Sequence, residues 1–425
     1  MTEANTVSLQ VHAVSSAFQE PEWVLRLRED AWQRFTEMPE PRLEKTDLRK
    51  RGWETGTFVA SPTGVPESVR HYVNNLDHPY ALFVDGHLIE VKHTEAQGQQ
   101  GVIFTDIHTA TLKHESLVKE HLASVVKVDD NKWSALSLAL FAGGIFLYVP
   151  RNVQVDVPFE SVHVFTAAQS GTYPRNLIVA DELADVKFID VTFSPEQKEK
   201  FTSSHVTEVV AKAGSRVHVG TADEFAKGAT YFVTRRALVG KDAVVEWTVS
   251  DVSNAFTVEL VEDILEGTGA RGETRVIGVG YGRQHMDLTA SMVHRGRHTE
   301  SDITMHGALR ERANSVFRSC TEIVKGAVGA GSEQHDRMIM IDRTARADAI
   351  PMLLIDENDV NRCGHAASVG KIDPNQVYYL MSRGIPQALA TQMIIWGYLH
   401  DSVEALPSAP LRDLVVARIE RELSR

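Results

Sequence analysis

From about residue 145 to residue 360 the chain is a succession of short alternating runs separated by small-residue turns, and this texture restricts the fold more than any other feature. Val162-His-Val-Phe165, Asp185-Val-Lys-Phe-Ile-Asp-Val191, Ser215-Arg-Val-His-Val219, Asp242-Ala-Val-Val-Glu-Trp247 and Asn314-Ser-Val-Phe317 bring apolar side chains round at the two-residue period of a strand. Several runs open on a small residue and a short polar one: Ala184-Asp185, Gly214-Ser215, Gly240-Lys241-Asp242, Ala313-Asn314 and Ala347-Asp348. The steps 185 to 215 to 242 are 30 and 27 residues, and the later step 314 to 348 is 34. Loose periodicity of this length predicts stacked strand–turn–strand rungs, with a small residue at each corner and alternate side chains filling an interior. No Asn-Gly dipeptide marks a tight hairpin here. A β-sandwich is the alternative, but the stretch is long for one sandwich.

Helical periodicity brackets this region. Trp23, Leu27, Ala31 and Phe35 recur every four residues, and Pro39 and Pro41 end that helix. Residues 43–75 read as a polar, turn-rich connector, and Tyr80–Val84, Asp85-Gly86 and His87–Glu90 as strand, tight turn and strand. Helical segments are expected around 108–124 and 132–142. After residue 370, Asp373-Pro374 opens a helix that Arg383-Gly384-Ile385-Pro386 ends. A second runs from Gln387 to Leu399, with Leu389, Met393 and Trp396 on one side, and a last one covers about 410–423. The expected division is a helical and mixed region 1–144, a β core 145–365 and a helical region 366–425.

The totals exclude several classes. With 44 basic against 57 acidic residues the formal net charge is −13, which argues against a general nucleic-acid binder. Two cysteines without framework spacing point to a reducing compartment, the N-terminus lacks a basic-then-apolar leader, and the longest apolar run, Leu136–Val149, is broken by Gly143-Gly144. A cytoplasmic location is the expectation. No Gly-x-x-x-x-Gly-Lys-Ser/Thr occurs. Gly278-Val-Gly280-Tyr-Gly282 and Gly326-Ala-Val-Gly329-Ala-Gly331 read as turns between rungs. His285, His294 and His298 lack metalloenzyme spacing and read as polar groups on an outer face. Nothing pairs carboxylates for acid–base work, so a stand-alone enzyme is not expected.

One short motif carries chemistry. Cys363-Gly364-His365 follows the apolar run Met352-Leu353-Leu354-Ile355, and on a strand residues two apart share a face. Thiol and imidazole together suit zinc, copper or iron–sulfur ligation. The only other cysteine is Cys320, so further ligands would have to come from another subunit. The bland reading is a small buried hydrophobe beside a polar neighbour.

Three stretches resemble the SufB/SufD family of iron–sulfur cluster assembly proteins. Asp359–Asp373 is similar to its signature of an acidic-Val step, a Cys-x-His and a Val-Gly tail. Tyr378-Tyr-Leu-Met-Ser-Arg-Gly-Ile385 resembles the tyrosine-leucine-x-x-Arg-Gly-Ile element that follows, and Ala345-Arg-Ala-Asp348-Ala-Ile-Pro351 its preceding Ala-x-Ala-x-x-x-Pro turn. SufB-like members carry Gln-Cys-Asp-Ser-Met-Leu where this chain has Gln334-His335-Asp336-Arg337-Met338-Ile339, and Glu-His-Glu in place of Cys363-Gly364-His365. Both differences favour the SufD branch. Gly364 and Ala366 depart from its usual Cys-Ser-His-Gly, which removes a serine hydrogen bond.

The resemblance implies a mainly β protein, a right-handed parallel β-helix core with helical N- and C-terminal regions. It implies pairing with SufB along the β-helix edge and docking of the SufC ATPase on the C-terminal helices, where Met393, Trp396 and Leu399 form the candidate stripe. By the same resemblance His365 and Cys363 help hold iron or a nascent iron–sulfur cluster shared with SufB, with none bound stably by this chain alone. A homodimer in isolation stays open. The competing readings are a SufB-like scaffold, a purely structural subunit without metal contact, and a carbohydrate-active β-helix enzyme, which would need facing carboxylates roughly 5–10 Å apart.

Overall fold

Small buried residues at the corners let the rungs stack. Ala184, Ser215, Ala243, Ala270, Thr299 and Ala330 each immediately precede a strand, stand in register above one another and are fully enclosed. Ala255, Ala313 and Ala345 mark the matching corners of the opposite sheet, where the buried Gln284 shows that this second column also admits a longer side chain. A larger side chain in the first column would force successive turns apart.

The computed structural model describes residues 3–93, 100–194 and 200–423. Two parallel sheets make up a flattened β-helix. The first stacks Phe159–Val164, Asp185–Phe193, Arg216–Glu224, Val244–Asp251, Arg271–Gly280, Glu300–Leu309, Gly331–Met340 and Arg362–Lys371. The second stacks Ile145–Val149, Arg175–Ala180, Phe201–Ala211, Ala229–Val239, Phe256–Leu265, His285–His294 and Asn314–Ile323, closed by Arg346–Ala349 and Met352–Ile355. Each turn takes one strand from each sheet. Tyr80–Val84 extends the first sheet in parallel, and the antiparallel strand His87–Lys92 caps it.

Alternate side chains fill the space between the sheets. Val186, Phe188, Val217, Val219, Val245 and Trp247 build one apolar layer and Met286, Leu288, Met292, Met305 and Phe317 another. Where helices cover them, the outer faces are apolar too. Ile395, Leu399, Val403, Leu411, Val415 and Ile419 pack onto Ile189, Val191, Ile277 and Val279 of the first sheet. Val24, Ala31 and Phe35, with the helix Lys132–Leu140, cover Leu177, Val179 and Val210 of the second. Burial on both faces is the reason Tyr80–Val84 and Ile145–Val149 read as continuous apolar runs.

Several expectations are corrected. The spacing argument merged two corner columns: Ala313-Asn314 belongs to the second sheet, whereas 185, 215 and 242 belong to the first. Asn314 stacks on Arg346, so Ala345 turns that corner and Ala347 lies within a strand. Gly278 and Gly280 are strand residues; a Cβ on Gly278 or Gly307 would lie 2.8 or 2.9 Å from the Phe317 ring, which occupies the space they leave. His294 is buried inside, bonded to Thr299 and Ser301 at 2.8 Å each. The connector 43–75 contains the helices Leu48–Arg51 and Glu67–Asn74, and Glu3–Ala17 is a further helix with sparse apolar positions.

Asp263 sits in the apolar layer, accepting from Trp247 Nε1 at 2.7 Å while its second oxygen has no partner. Burial pushes its carboxyl up to about 8. The folded state therefore keeps a proton that the unfolded chain loses near pH 4, and stability falls as pH rises between those values. Asp263→Asn removes that slope. Its stability advantage over the parent should grow by about 1.4 kcal/mol per pH unit in that window. Urea midpoints for both proteins at pH 5, 6.5 and 8 check this; a constant difference would refute it.

Candidate functional site

The β-helix ends in an open edge. Arg362–Lys371 pairs with Gly331–Met340 on one side, and among the described residues no strand pairs with its other side. Most of its side chains are exposed. Cys363 stands in register with Ser332 and His365 with Gln334, both interior positions, so thiol and imidazole face the mouth of the β-helix interior. His335 projects from the outer face, on the side away from His365.

Beneath that rim lies a chain of buried polar groups. Ser301 Oγ donates to Ser332 Oγ at 2.9 Å, and Ser332 and Thr321 hydroxyls lie 2.8 Å apart. Gln334 Nε2 donates to Thr321 Oγ1 at 2.7 Å and to the Met352 carbonyl at 3.1 Å. Ser319 Oγ reaches Gln334 Oε1 at 3.1 Å and Asp336 Oδ2 at 2.7 Å. Asp336 Oδ1 is buried without a partner. Burial raises the Asp336 carboxyl, opposed by the Ser319 hydrogen bond and the fields of His365 and His335.

Cys363 is half-buried against Ile323, Ala327 and Ala330, and that burial, then the Glu333 charge, raises its thiol. His365 is exposed. Thiol and imidazole share one face of the strand, with the Asp336 carboxyl buried below, but among the described residues these three do not come within the 4.8 Å that would let them hold one ion. One thiol and one imidazole are too few soft ligands to enclose an iron–sulfur cluster.

The C-terminal stripe divides. Met393 is 46% exposed, Trp396 is partly buried, and Leu399 is 1% exposed, inside the cluster that fixes the helix Gln387–Glu404 to the first sheet. The three do not line one surface; Leu399 serves the core. Met393 belongs instead with Tyr378, 72% exposed, Tyr379, Met381 and Leu389 on the uncovered sides of the helices Pro374–Ser382 and Gln387–Glu404. Sequence reasoning passed over Ser332, Gln334 and Asp336, although their two-residue spacing marked an interior polar row.

Comparisons with known proteins place the whole chain in one family. The SUF system FeS cluster assembly, SufBD core domain profile matches residues 163–398, and the SufBD protein N-terminal region profile matches residues 19–160. The chain belongs to the SufBD family of iron–sulfur cluster assembly proteins. It is 34% identical over 422 residues to the iron–sulfur cluster assembly protein SufD of Bacillus subtilis, covering 96% of each chain. It is 28% identical to SufB of the same organism, covering 93% of this chain and 89% of that one. A SufBD family protein of Staphylococcus saprophyticus is 29% identical with the same coverage. No helix among the described residues is long and apolar enough to cross a membrane.

Proposed function

We propose that this chain is the SufD-type scaffold subunit of a cluster assembly complex, pairing with SufB along Arg362–Lys371 and presenting its C-terminal helices to the SufC ATPase. The observation that carries this reading is the unpaired terminal strand, a ten-residue row with Cys363 and His365 on its interior face. An open edge of this kind is a template for a strand from another chain. A partner strand laid there would close the mouth and bring its own ligands to Cys363 and His365. The iron or nascent cluster is the cargo of that shared site. SufB-like identity is disfavoured by His335, which stands where SufB-like members carry a cysteine.

Two substitutions separate the two contacts. Val369 lies on the exposed edge strand, and Val369→Lys should weaken capture of SufB at least tenfold by placing a charge in the strand pairing. Met393→Glu should retain SufB and lose SufC. Both positions are exposed, so subunit stability should change by less than about 0.5 kcal/mol. Co-purification of the three chains from one cell line reads both effects. Undiminished SufB capture by Val369→Lys would remove the edge from the proposal.

A further inference from the structure

A second cluster of ligand-competent groups lies deep in the opening turns of the β-helix, far in sequence from the terminal strand. His163 is on Phe159–Val164 and Asp190 on Asp185–Phe193, both in the first sheet; His205 is on Phe201–Ala211 of the second. All three are essentially inaccessible to solvent. His205 Nε2 is 3.1 Å from Asp190 Oδ2, and His163 Nε2 is 3.7 Å from Asp190 Oδ1. One ligand atom from each lies within 4.8 Å of the others. Tetrahedral ligands at about 2.0–2.1 Å from a metal stand about 3.3 Å apart, between the two observed separations.

The surrounding hydrogen bonds prepare these atoms as ligands. Tyr231 donates its hydroxyl proton to Asp223 Oδ1 at 3.0 Å, so toward His205 Nδ1, 3.2 Å away, the phenol oxygen accepts. A His205 tautomer with its proton on Nδ1, toward the phenol oxygen, would leave Nε2 able to ligate an ion shared with Asp190. Asn176 Oδ1 accepts from the Ile145 amide at 3.0 Å, which fixes its Nδ2 to donate toward Asp190 Oδ2 at 3.0 Å and His205 Nε2 at 3.2 Å. Ser161 Oγ donates to Asp190 Oδ1 at 2.7 Å. Ser161 and Asn176 thus hold the carboxylate and Tyr231 the far side of the imidazole, as outer partners hold metal ligands, while the Asn176 contact to His205 Nε2 would give way to a bound ion.

His163 is the odd member. Its ring stacks on Phe83, centroids 4.9 Å apart, and its Nε2 has no hydrogen-bond partner. A buried nitrogen without a partner destabilises a fold. A cation shared with Asp190 and His205 would satisfy it.

We propose that His163, Asp190 and His205 bind one divalent first-row transition-metal ion between the two sheets, a site separate from the terminal strand. Two imidazoles and one carboxylate with positions left open suit Fe(II), Zn(II) and Co(II). Because Asp190 and His205 lie on opposite sheets, the ion ties the first turns together across the interior.

The test uses the full chain carrying Cys363→Ser and His365→Ala, which removes the donors of the terminal strand. Protein produced in cobalt-supplemented medium should carry about one Co²⁺ per chain by elemental analysis, show visible ligand-field absorption, and melt above cobalt-free protein. His163→Phe preserves the stack on Phe83 and deletes the unpartnered nitrogen. It should lose the absorption, bind Co²⁺ at least tenfold more weakly and show no cobalt-dependent rise in melting temperature. Its cobalt-free melting temperature should match or exceed the parent's, which separates lost ligation from lost folding. A parent without Co²⁺, or His163→Phe with unchanged absorption, overturns the site.

Discussion

Replacing His365 with alanine should strip most of the cluster from a complex of this chain with SufB and SufC, while the subunit itself stays folded. His365 is exposed on an edge strand, so truncating it opens no void and should shift unfolding by less than about 0.5 kcal/mol. Its imidazole stands at the mouth of a polar interior, above Asp336, where a facing subunit can complete the ligand set. Loss of one ligand of a metal centre typically weakens binding by one to two orders of magnitude or more. Cluster absorbance and iron content per anaerobically purified complex should therefore fall several-fold. Cys363→Ser should cost less cluster and more stability, because Cys363 packs against Ile323, Ala327 and Ala330. Full cluster content in His365→Ala would reject the ligand role.

Arg235→Leu should be the most destabilising single change in the interior. Arg235 Nη2 donates to Asp223 Oδ2 at 2.8 Å and its Nη1 bonds Glu259, with all three side chains about 1% exposed. Asp223 comes from the first sheet, Arg235 and Glu259 from the second, so one guanidinium joins the sheets. Removing it leaves two carboxylates buried without a counter-ion, a defect worth about 3–5 kcal/mol. The deficit should shrink on acidification, because a carboxylate stripped of its cation takes up a proton more readily. Adding Asp223→Asn and Glu259→Gln to Arg235→Leu should recover part of the loss. Urea midpoints at pH 5 and pH 8 read both effects, and a single-mutant loss under 1 kcal/mol would discount the cross-sheet pair.

Much of the architecture is legible from period and spacing alone. Alternating runs such as Val186-x-Phe188 and Val217-x-Val219, recurring at about thirty residues without hairpin dipeptides, define a stacked β core. The three C-terminal helices announce themselves by Asp373-Pro374, Gly384 and Pro386. The corner register was less legible, since Ala313 and Ala184 look alike in sequence yet turn opposite corners. A small residue reports that a corner is tight without reporting which sheet it serves.

The functional groups divide in the same way. Cys363 and His365 are a same-face pair by strand geometry, and the sequence determines that much by itself. Whether that face is interior or exterior depends on register against Gly331–Met340, and a shift of one residue would reverse it. Rotation of the helix Gln387–Glu404 likewise decides that Leu399 is core and Met393 is surface. His163, Asp190 and His205 have no motif spacing at all. They converge because each turn returns the chain by roughly its own length, so residues tens apart in sequence stack a few ångströms apart in the interior. Periodicity is local and is written in the sequence; register and facing are set by contacts between turns, and only the tertiary structure decides them.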